Sequence, residues 1–201
     1  MSEKRIEFKT SDGIVLEGLI CEGHTGTGAI ITHPHPLYGG DMYNNVVEAI
    51  QKAYQDKGHS TLRFNFRGVG RSGGSHDNGN GEQQDVLAAV RFMEEAGVAS
   101  VHLSGYSFGT WIIARVAGSV PACPVVMVSP PAGMLGFPSD LKIPALKLVV
   151  TGSQDEFAPP ELVGSLASQW NASARFEIID NADHFYFGYT DDLKEVLVDV
   201  I

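Results

Sequence analysis

Apolar residues come along this chain in short blocks separated by amphipathic stretches. Blocks rich in Val, Ile and Leu near 28–33, 60–66, 99–104, 124–129, 145–151 and 174–179 predict buried strands. Between them, Asn44 to Lys57, Glu82 to Ala96, Thr110 to Gly118, Pro160 to Trp170 and Asp191 to Ile201 carry helical patterning. Ahead of these, Ile6 to Phe8 and Ile14 to Cys21 flank Ser11-Asp12-Gly13, a hairpin signal. A hairpin followed by alternating strands and helices predicts an α/β fold. Its central sheet would be mostly parallel with an antiparallel N-terminal edge, with helices on both faces and a site in the loops at the strand carboxyl ends. No repeat, linker or low-complexity segment interrupts the pattern. Residues 1–201 read as one domain, and 43% apolar content is enough for a full core.

The most informative local feature is Gly105-Tyr106-Ser107-Phe108-Gly109, placed where the strand pattern gives way to a helix. A serine between two glycines at such a turn matches G-x-S-x-G, which exposes a hydroxyl for nucleophilic attack. The turn is tight enough that side chains at the flanking positions would collide, and glycine removes both clashes. The following helix points free N–H groups and its positive dipole end at the place where negative charge develops in acyl transfer. With 23 glycines in the chain a chance match is not rare, so the strand-before, helix-after context carries the assignment.

A serine hydroxyl needs a base and an orienting carboxylate. The strand pattern at Ala145 to Val150 runs into Thr151-Gly152-Ser153-Gln154-Asp155, which puts Asp155 just past a strand end. The pattern at Ala174 to Ile179 leads to Asp180-Asn181-Ala182-Asp183-His184, which puts His184 past the final strand. Glu156 would point the other way from the same turn, Asp183 adjoins the histidine in an awkward geometry, and Asp180 is a third competitor. The order Ser107, Asp155, His184 is nucleophile, acid, base.

On these residues the chain resembles the α/β-hydrolase fold superfamily from Arg5 to its end. His33-Pro34-His35-Pro36-Leu37-Tyr38-Gly39-Gly40 and Arg63-Phe64-Asn65-Phe66-Arg67-Gly68-Val69-Gly70-Arg71-Ser72 resemble small bacterial serine hydrolases similar to dienelactone-hydrolase-like proteins. The resemblance implies a catalytic triad of Ser107, Asp155 and His184. It also implies an oxyanion hole formed by the Phe108 N–H and by an N–H from the loop after the third strand. Pro34 and Pro36 have no N–H, leaving His35 or Leu37, of which Leu37 is preferred because Gly39 and Gly40 let the chain turn away. Where this superfamily commonly inserts a cap, only Pro130 to Pro144 intervenes, too short for one. A shallow, lidless site is expected, lined by Tyr38, Met134, Leu135, Phe137, Phe157 and Phe185 and suited to short acyl groups.

Other motifs yield less. Gly68-Val69-Gly70-Arg71-Ser72-Gly73 matches the dinucleotide-binding pattern, but the run continues through Gly81 before helical sequence begins, so a phosphate has no helix N-terminus to sit on. Arg67 or Arg71 is expected to anchor this loop to Glu82 or Asp85. His33 and His35 form an H-x-H pair with no evident third metal ligand, and His102 reads as a packed strand residue. Cys21 and Cys123 have no metal or redox spacing and read as small buried apolar residues.

A net charge of −10 disfavours nucleic acid and anionic membrane surfaces. The N-terminal residues lack the apolar core of a signal peptide and no apolar run reaches spanning length, so a cytoplasmic protein is expected. The reading is a carboxylesterase-like serine hydrolase acting on a small ester-type acyl substrate through an acyl-enzyme, with no metal and no cofactor. Thioester, small-amide or peptide, and lactone hydrolysis share the same triad. A non-catalytic binding protein on the same fold is the alternative of another class. Whether the chain forms a homodimer is not determined by the sequence.

Overall fold

The computed structural model describes residues 2–120 and 123–201. Eight strands form one sheet: β1 (Lys4–Lys9), β2 (Val15–Cys21), β3 (Thr27–Thr32), β4 (Ser60–Phe64), β5 (Ser100–Tyr106), β6 (Val125–Val128), β7 (Leu146–Gly152) and β8 (Arg175–Ile179). Their order across the sheet is β1-β2-β4-β3-β5-β6-β7-β8. β1 pairs antiparallel with β2 and β2 antiparallel with β4, while every later pairing is parallel. The antiparallel edge follows from the hairpin, whose turn closes with Thr10 N–H donating to Ile14 O at 2.9 Å.

Among the described residues five α-helices cover the sheet: α1 (Asn45–Asp56), α2 (Asn80–Glu95), α3 (Phe108–Val116), α4 (Pro160–Trp170) and α5 (Thr190–Val198). One core lies between the sheet and α2, α3 and α4, built on Phe64, Phe66, Leu103, Ile112 and Trp170. The other lies beneath α1 and α5, built on Ile31, Ile50, Tyr54, Val150 and Leu193. Burial on both faces explains why the parallel strands read as continuous apolar runs. Among the described residues no helix is long and apolar enough to cross a membrane.

Most predicted elements stand within a few residues of their expected bounds. The segment between β6 and β7 forms turns, and Trp111 Nε1–H donates to Gly136 O at 2.9 Å, fastening it to α3. The glycine-rich stretch after β4 is likewise a series of turns that ends where α2 starts at Asn80. Arg67 anchors it as expected, and to Asp85: Arg67 Nη2 and Asp85 Oδ1 are 2.7 Å apart. Asp12 in the β1–β2 turn meets the same guanidinium at 2.9 Å. Arg71 is exposed and only 4.0 Å from Glu7. Glu82 faces its own helix N-terminus instead, accepting from the N–H groups of Asp77 and Gly79. Cys21 and Cys123 are both free.

Candidate active site

β5 ends at Tyr106 and α3 begins at Phe108, so Ser107 alone makes the turn. Its backbone sits at φ 52°, ψ −121°, a conformation that costs a non-glycine residue on the order of 1–3 kcal/mol. The surroundings enforce it: Ser107 N–H donates to Val128 O at 3.0 Å, and Ser107 O accepts from Thr110 N–H at 2.9 Å. The flanking glycines are required by close approach. A Cβ at Gly105 would stand 2.5 Å from Thr32 Oγ1, and one at Gly109 would meet both Thr32 Oγ1 and the Thr32 backbone.

Ser107 Oγ lies 2.9 Å from His184 Nε2, and His184 Nδ1 lies 2.9 Å from each Asp155 carboxylate oxygen. All three side chains are buried. Asp155 Oδ1 also accepts from the N–H groups of Phe157 at 3.0 Å and Ala158 at 2.7 Å. Burial pushes the Asp155 carboxyl up, but the hydrogen bond and charge of His184, with help from Ser129 and Ala158, outweigh it and hold the group below the usual range. The competing carboxylates lie elsewhere. Glu156 and Asp180 are exposed, and Asp183 Oδ1 accepts from Phe185 and Tyr186 N–H to close the histidine loop.

Three supporting residues carried no signal in the sequence. Tyr106 O–H donates to His184 O at 2.7 Å, fixing the backbone of the loop that carries the ring. Ser129, at φ 48° past β6, has its hydroxyl 2.8 Å from the Tyr186 hydroxyl, beside Asp155. Thr151 Oγ1 donates to Ala158 O at 2.7 Å and braces the turn that follows β7.

The loop after β3 departs from expectation at Leu37. Its N–H donates to His35 Nδ1 at 3.2 Å, so it is already engaged at the start of a single 3-10 turn, Pro36–Tyr38. The N–H groups of His35 and Phe108 have no acceptor among the described residues. The His35 ring packs 4.7 Å from that of Phe108.

Of the expected lining residues, Phe157 and Phe185 surround His184, with ring centroids 4.9 and 5.8 Å from its own. Tyr38 and Met134 are exposed, at 77% and 53%, and Leu135 is half-buried against the core. Phe137 does not belong with them. Its ring packs 4.9 Å from that of Trp170, the last residue of α4, so it joins the core.

His33 serves the scaffold. Its Nδ1 lies 2.7 Å from Pro34 O and its Nε2 accepts from Phe66 N–H at 3.0 Å, so both ring nitrogens are engaged. Complete burial lowers its pKa to about 4. Above pH 6.5 the ring is neutral whether folded or unfolded; between 6.5 and about 4 only the unfolded chain takes up the proton, so stability falls as the pH falls. Denaturant unfolding across this range should show a loss of about 2 kcal/mol by pH 5 from His33 alone. A flat profile from pH 7 to 5 would contradict this role. Among the described residues, no group of three or more His, Cys, Asp or Glu side chains is arranged to hold a metal ion.

Residues 19–134 match the family model described as the alpha/beta hydrolase fold. An uncharacterised protein of Rickettsia prowazekii is 33% identical over 186 residues, which are 86% of this chain and 77% of that protein. An alpha-beta serine hydrolase homologue from Coxiella burnetii superposes with a TM-score of 0.92 at 37% identity, covering 99% of this chain and 97% of that one. A serine hydrolase without a lid from Xanthomonas campestris superposes with a TM-score of 0.90 at 29% identity, covering 98% of this chain and 92% of that one.

Proposed function

The chain belongs to the alpha/beta hydrolase fold family, and we propose on that footing that it is a lidless serine hydrolase cleaving a small ester-type acyl substrate through an acyl-enzyme at Ser107. The observation that carries the proposal is the unbroken line from Asp155 through His184 to Ser107, each contact 2.9 Å long.

In this reading His184 Nε2 takes the proton of Ser107 as the hydroxyl oxygen attacks the substrate carbonyl. Asp155 accepts from Nδ1–H, holds the ring in the tautomer that leaves Nε2 free to act as base, and stabilises the imidazolium once it forms. The oxyanion is held by the N–H groups of Phe108 and His35, the two donors left unengaged on either side of the reacting carbon; Leu37 is set aside because its N–H is bonded to His35 Nδ1. His184 then protonates the departing alcohol, and a water activated by the same ring releases the acyl group. Residues 1–201 act as one catalytic domain, with no cofactor needed for any step.

The exposed Tyr38, Met134 and Phe185 make an open rim, which favours short acyl groups over long ones because a long chain has no tunnel to bury it. On a panel of 4-nitrophenyl esters kcat/KM should be highest for the shortest acyl chains, and a parallel thioester series places the leaving-group preference. Rising kcat/KM toward long-chain esters would overturn the shallow-site reading.

A further inference from the structure

A second carboxylate–histidine pair lies on the other flank of Ser107. In the sheet, β3 and β4 are on one side of β5, while β7 and β8, which carry Asp155 and His184, are on the other. His35 follows β3 and His76 follows β4. Their rings are 5.1 Å apart, and both pack on Phe108, at 4.7 and 5.7 Å.

Each ring is oriented. His35 Nδ1 accepts from Leu37 N–H, so its proton is on Nε2, and burial lowers its pKa, keeping the ring a neutral donor. His76 Nδ1 lies 2.8 Å from Glu82 Oε1, close but poorly aligned as a hydrogen bond; the Glu82 side chain is fully buried and is itself held by the N–H groups of Asp77 and Gly79. A doubly protonated imidazole presents one N–H toward the carboxylate at Nδ1 and a second, at Nε2, outward. Neither Nε2 has a partner among the described residues, and both are open to solvent. The neighbouring guanidinium of Arg67 is committed to Asp85 and Asp12, so it does not compete for the same ligand.

We propose that His76 and His35 form a subsite for an anionic group, a carboxylate, on the acyl portion of the substrate. The side of the substrate follows from the chemistry of the serine hydrolase reading, on which this inference rests. His184 must protonate the departing alcohol, so the leaving group lies on its flank and the acyl group extends toward His35 and His76. Two imidazole rings with centroids 5.1 Å apart can each offer an N–H to one oxygen of a carboxylate. A neutral acyl chain would draw no benefit from the buried Glu82 behind the ring.

The test compares mono-4-nitrophenyl adipate, which carries a free carboxylate on the acyl side, with its methyl ester, which is neutral. Wild-type protein should favour the charged ester about tenfold in kcat/KM, chiefly through KM. In His76→Gln the ratio should fall to about one; a ratio, unlike a rate, is unmoved by general damage to the site. A ratio of one in the wild type, or an unchanged ratio in His76→Gln, overturns the subsite. Moving the carboxylate to the alcohol, as in 3-carboxyphenyl acetate against its methyl ester, should give no preference, and a preference there overturns the acyl-side assignment. If no ester is turned over, the hydrolase reading fails separately. NMR titration of Ser107→Ala protein with monomethyl and dimethyl adipate then decides the subsite: tighter binding of the monoester, lost when His76→Gln is added, supports it, and equal binding overturns it.

Discussion

Ser107→Ala is expected to lower ester hydrolysis by about a million-fold in kcat while leaving KM and thermal stability close to those of the parent. The size follows from the proposed triad: nucleophile, base and orienting acid would work as one unit, so loss of the first member removes nearly everything the unit contributes. What survives in this proposal is the stabilisation that the Phe108 and His35 N–H groups offer to attack by water. The hydroxyl leaves no cavity of consequence, and relief of the strained φ at position 107 is no greater for alanine than for serine. Steady-state kinetics on a short-chain ester, with a melting curve alongside, separates the two effects. A loss below about a hundredfold would mean that Ser107 is not the attacking group.

The second large effect is on stability. Arg67→Ala should destabilise the fold by about 3–5 kcal/mol, because it strands the Asp85 carboxylate, fully buried in α2, without its guanidinium. The wild-type contact is extensive. Arg67 Nε donates to both Asp85 oxygens at 3.0 and 3.2 Å, Nη2 donates to Oδ1 at 2.7 Å, and the Arg67 backbone N–H adds a bond at 3.0 Å. Burial pushes the Asp85 carboxyl up and Arg67 opposes that rise, which is why removing the cation costs more than the pair itself is worth. Asp12→Ala should cost far less, since Asp12 is partly exposed and the arginine keeps its main partner. Denaturant unfolding of Arg67→Ala, Asp85→Leu and the double variant Arg67→Met/Asp85→Leu tests the account, with the double variant recovering much of the loss. A cost below 1 kcal/mol for Arg67→Ala would contradict it.

The parts of the site legible in the sequence are those where a turn dictates residue type. Gly105 and Gly109 announce the elbow because Thr32 occupies the space that any side chain there would need. Asp155 and His184 are readable from their place just past β7 and β8, where a parallel sheet delivers its loops to one edge. The proposed second oxyanion donor is not readable that way. His35 and Leu37 both have N–H groups, and the choice turns on a contact between the His35 ring and the Leu37 N–H that residue types do not force. Phe137 is unreadable for a related reason: the 130–144 segment has no periodicity, so nothing in it says which way an aromatic points, and Trp170 receives it. Arg67 had two candidate partners one helical turn apart on α2. Only the structure shows that Glu82 turns back to the N–H groups of Asp77 and Gly79, leaving Asp85 for the arginine. Helix α3 starts two residues earlier than its patterning indicates because Ser107 itself forms its N-terminal boundary, with Thr110 N–H and O–H both bonded to Ser107 O.

Whether Ser107 is an activated nucleophile is tested most directly by mass spectrometry of the intact protein after exposure to a fluorophosphonate, beside Ser107→Ala. One adduct per chain, mapped to Ser107 and absent from the variant, is the expected result. An unmodified wild-type protein, or an adduct that persists in Ser107→Ala, would contradict it and leave a hydrolase fold that binds without cleaving.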